Sequence, residues 1–166
     1  LIVSVLAGCS SPILPIRDEI DELSMIRVMG VDIDSKNPNN MRVTLLSKKH
    51  ENNTDGKSGG AASNTQSIIL TQESQTFVEA LRLLQSSTDK ELFWGHVDYY
   101  IVGEDAAKQG IGKYIDSFVR DHETRGNAKI FIIKNSTAKE FIEKSNTGEY
   151  FLPDRLIAIG KNSHFF

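Results

Sequence analysis

The chain has 166 residues, 39% of them hydrophobic and 25% charged, with 19 basic against 22 acidic side chains, a net charge of −3 and one cysteine. That length and apolar content suit a single core of ordinary globular composition rather than a disordered chain. The near-neutral balance excludes a protein whose main task is to neutralise nucleic-acid phosphates, and one cysteine excludes a disulfide scaffold and any Cys-rich zinc site.

Residues 1–8, Leu-Ile-Val-Ser-Val-Leu-Ala-Gly, read as the C-terminal end of a signal peptide, an apolar run closing on small side chains. The run is too short to span a bilayer, which takes about 20 apolar residues. Leu6-Ala7-Gly8-Cys9 resembles a bacterial lipobox, in which the cysteine sulfur receives a diacylglyceryl group and the preceding peptide bond is cut. The competing reading is a buried strand ending in an incidental cysteine. The abrupt change to Ser10-Ser11-Pro12 favours the lipobox. Each buried methylene contributes about 0.8 kcal/mol, so one acyl chain binds marginally and two bind stably. Cys9 is therefore the expected lipidation site, and residues 9–16, with Pro12 and Pro15, an extended membrane tether.

The body is expected over 17–166. Arg17 to Leu23 places four acids around Ile20 and Leu23, which suits one solvated helical turn with those two aliphatics inward. Met25–Asp34 and Met41–Lys48 are rich in strand formers and flank the turn residues 35–40, which predicts a hairpin. His50–Asn64 has almost nothing to bury and reads as a surface loop. Gly56-Lys57-Ser58 inside it mimics the end of a phosphate loop, but Glu51 stands where that motif needs glycine. Thr65–Thr71 returns to a strand pattern. Thr76 and Glu79 then have the spacing of a capping box, ahead of a stripe at Phe77, Ala80, Leu81 and Leu84. Phe93–Gly103 reads as a loop leading into a strand. Ile111, Ile115, Phe118 and Val119 repeat the helical stripe, with Gly110 and Gly112 at its start. Ala128–Ile133 is a continuous apolar run, the pattern of a strand covered on both faces. A second capping box, Thr137 and Glu140, opens a helix carrying Phe141 and Ile142. This alternation predicts two right-handed crossovers and an α/β fold: a mixed sheet, partly parallel, with flanking helices and an N-terminal antiparallel hairpin.

Motifs for chemistry are sparse. The four histidines, at 50, 96, 122 and 164, have no metal-ligand spacing, and no G-x-S-x-G elbow occurs. An acid–base pair could be assembled from Trp94, His96 and Asp98 beside Glu104 and Asp105. Alternation puts His96 and Asp98 on one strand face, where they are expected to pair with each other. Trp94 suits an anchor for the loop or a contact for a partner. No cofactor and no metal are expected.

Leu92-Phe93-Trp94-Gly95-His96, then Tyr100-Ile101-Val102-Gly103-Glu104, Gly110-Ile111 and Phe118-Val119-Arg120-Asp121 together resemble the Ger(x)C spore germination lipoproteins, in their N-terminal domain. Arg17, Glu19-Ile20, Glu22-Leu23 and Gly30-Val31-Asp32 echo the same family. Ser10-Ser11 replaces its usual Trp-Asp, and Asp98 stands where a basic or apolar residue is commoner. The resemblance implies a C-terminal domain missing from this chain. It also implies a non-enzymatic C subunit of a nutrient germinant receptor, lipid-anchored on the outer face of the spore inner membrane, with an integral-membrane A subunit and a transporter-like B subunit as partners. Trp94, His96 and the loop 50–64 are the expected partner contacts. The alternative is a cell-surface solute-binding protein or hydrolase with His96 and Asp98 as its polar site.

Overall fold

A computed structural model of the chain describes residues 23–34, 37–48, 67–112, 127–146 and 151–162, together with Tyr114 and Asp116. Cys9, the tether, residues 17–22, the loop 50–64, and Ile115, Phe118 and Val119 lie outside the described residues.

The elements run β1 (Leu23–Ile33), β2 (Met41–Lys48), β3 (Ser67–Ser74), α1 (Phe77–Ser86), β4 (Glu91–Phe93), β5 (Tyr99–Gly103), α2 (Glu104–Lys108), β6 (Lys129–Ile133), α3 (Ala138–Ser145) and α4 (Leu152–Asn162). Five strands lie in the order β3-β2-β1-β5-β6, and β4 pairs with the start of β1. The pairs β1–β2 and β2–β3 are antiparallel, whereas β5 is parallel to β1 and β6 parallel to β5. The mixed, partly parallel sheet follows the expectation, and the predicted hairpin is there. Its first strand is the centre of the sheet, because β5 pairs on its other side. Leu23, expected as the inner residue of a helical turn, opens β1 instead.

Both faces of the sheet are covered. A bulge at Arg27, between Ile26 and Val28, shifts the alternation of β1. Ile26, Met29, Val31 and Ile33 consequently face a cluster completed by Val43, Leu45, Tyr100, Val102, the α1 stripe of Phe77, Ala80 and Leu84, and Tyr114. Val28 faces the opposite cluster with Leu46, Tyr99, Ile101, Ala138, Ile142, Phe151, Leu152 and Leu156. Gly30 shares that second face, and a Cβ there would sit 2.8 Å from Ile142 Cδ1, so glycine lets α3 close on the sheet.

Both predicted helix starts form, each with its threonine as the N-cap. The hydroxyl of Thr76 accepts from the Glu79 N–H at 3.2 Å and that of Thr137 from the Glu140 N–H at 3.1 Å. The structure adds two helices that the sequence patterns did not indicate and corrects one further expectation, that for the run 128–133. The short helix α2 precedes the break at Gly110, whose φ of +98° suits glycine, and helical backbone resumes at Gly112. The helix α4 follows Phe151 with Pro153 in its first turn, where the missing N–H costs nothing. The run 128–133 is not covered on both faces: β6 is the last strand of the sheet among the described residues, with Ile130 40% and Ile132 54% exposed.

Candidate functional site

The parallel strands β1, β5 and β6 end together at Ile33, Gly103 and Ile133, and this edge of an α/β sheet is where crevices form. A cleft of about 290 Å³ lies there, lined by residues that include Asp32, Gly103, Glu104, Asn135, Thr137 and Glu140.

Asp32 is 3% exposed. Its Oδ1 accepts from the Ala138 N–H at 2.7 Å and its Oδ2 from the Lys139 N–H at 2.9 Å. With the Thr137 hydroxyl on the Glu140 N–H, the first-turn donors of α3 are all satisfied. The site where a bound anion would ordinarily sit is filled by the chain's own carboxylate. Burial pushes the Asp32 carboxyl above its ordinary value, against the pull of the two N–H groups and of Arg42. Gly103 is required beside it, because a Cβ there would collide with Asp32 Oδ1.

The other carboxylates around the cleft are also engaged. Glu104 accepts from the backbone N–H of Asn135 at 3.0 Å and meets Lys108 at 3.0 Å, which holds its carboxyl below the usual value and raises Lys108. Asn135 reaches it from a left-handed conformation, φ 61°. Asp105 lies 3.6 Å from Lys108. Glu140 accepts from the Ser136 hydroxyl at 3.2 Å and faces Lys144 at 3.4 Å, which lowers its carboxyl as well. The arrangement can clamp the ends of β1, β5 and β6 to the start of α3. Among the described residues no group of three His, Cys, Asp or Glu could hold a metal ion.

The residues expected to touch partners sit at the opposite end of β5. Gln85 clamps the segment before them, giving its amide N–H to the Lys90 carbonyl and accepting from the Leu92 N–H at 2.9 Å. Trp94 is half-buried against the first core cluster, and its carbonyl accepts from the Val97 N–H. His96 packs on Phe93 with ring centroids 5.4 Å apart, and its Nδ1 is buried without a hydrogen-bond partner among the described residues. His96 does not pair with Asp98. The Asp98 carboxylate binds Arg27 instead, Oδ2 lying 2.6 Å from Nε and 2.5 Å from the terminal nitrogen. The Arg27 bulge on β1 competes successfully because guanidinium offers two donors to one carboxylate.

Asp32 and Gly103 were legible only as parts of the segments Gly30-Val31-Asp32 and Tyr100–Glu104. Their meeting depends on strand pairing and on a helix start 106 residues beyond Asp32.

The family model for the spore germination protein N-terminal domain matches residues 17–164. Spore germination protein KC of Bacillus subtilis (strain 168) is 29% identical over 146 residues, covering 87% of this chain. The chain spans about a third of that relative's length, 34%. No solved structure matches.

Proposed function

The chain belongs to the family of spore germination protein N-terminal domains, and from this we propose that it is the lipid-anchored, non-enzymatic C subunit of a nutrient germinant receptor. The observation that carries the reading is the family match from residue 17, immediately after a lipobox-like cysteine and a proline-rich tether. The internally paired carboxylates of the cleft support a body that assembles rather than reacts. Among the described residues no helix is long and apolar enough to cross a membrane, and the proposed attachment rests on a diacylglyceryl group at Cys9. Its place is the outer face of the spore inner membrane, beside integral-membrane A and B subunits. Trp94 and His96, adjacent in a turn at one end of the sheet, are the proposed partner contacts.

Cys9→Ala tests the reading. The variant lipoprotein is expected to keep a folded body, to leave the membrane fraction and to abolish the nutrient-triggered response. Normal germination of Cys9→Ala spores would overturn the anchored-receptor reading.

A further inference from the structure

We draw no further inference here: the strongest candidate, the acid-lined cleft where β1, β5 and β6 end at the start of α3, is a cluster of carboxylates already engaged by the chain's own N–H, hydroxyl and ammonium groups, and nothing else among the described residues points to a ligand there.

Discussion

At Asp32 two opposing effects meet on one carboxylate. Removing an ion from water is expensive, yet the first N–H groups of a buried helix start need an acceptor. Both N–H groups bind it at 2.9 Å or less, and burial still leaves the carboxyl above its ordinary value. Protonation is therefore easier in the folded than in the unfolded chain. Its contribution to stability is fully present below the unfolded value of 3.8 and falls as pH rises through the raised value. Asp32→Asn removes this dependence, so the stability of the parent relative to Asp32→Asn is expected to decline with pH across that window, measured by denaturant titration at a series of pH values. An upward slope would contradict the assignment. Asp32→Ala leaves the Ala138 and Lys139 N–H groups without their acceptor and is expected to cost about 1–3 kcal/mol at neutral pH. Gly103→Ala should cost about 1–3 kcal/mol by overpacking. In the Asp32→Ala background most of that cost should vanish, because the atom it strikes is gone. Additive losses in a double-mutant cycle would mean that Gly103 serves something else.

Helices α1 and α3 begin on threonine N-caps, and the two differ in how much each cap carries. α1 relies on Thr76 within its own segment, whereas α3 shares its first turn between Thr137 and Asp32 from another strand. Thr137→Ala is expected to lower stability by about 1 kcal/mol, less than Asp32→Ala, by thermal or chemical unfolding. The reverse ranking would place the anchor of α3 in its local cap. The stripe of α1 was readable from residue spacing, and Leu84, fully buried, should cost about 2–5 kcal/mol as alanine. β6 marks the limit of such reading. A run of apolar residues signals covering on both faces, but strand order put this run last in the sheet among the described residues, and no spacing within five residues encodes a strand's place in a sheet.

At the scale of the whole molecule, helices lie on both faces of one mixed sheet, and α4 belongs to that body. Phe151, Leu152 and Leu156 complete the cluster beneath β5 and α3. Ending the chain at residue 150 is expected to expose that cluster and abolish cooperative unfolding, seen as a broadened melt and binding of a hydrophobic dye. A sharp, unshifted melt would make 151–162 an appendage.

The capping boxes, the α1 stripe, the hairpin and the strand–helix alternation are local patterns with periods of two or 3.6 residues, so the amino-acid order alone determines them, and with them the α/β class. The residues from Leu92 to Glu104 likewise carried the family resemblance without any structure. Tertiary structure decided what depends on distant partners. Arg27 took Asp98 from His96 because a bulge on β1 presents its guanidinium there. Asp32 became the cap of α3, and Gly103 its necessary neighbour, because β1 and β5 end side by side at the start of that helix. The apolar run of β6 became the last strand of the sheet among the described residues because it pairs with β5 on one side. Each is a contact between segments far apart in the chain, settled by which strands pair and which helix covers them, and neither relation has a signature within a single element.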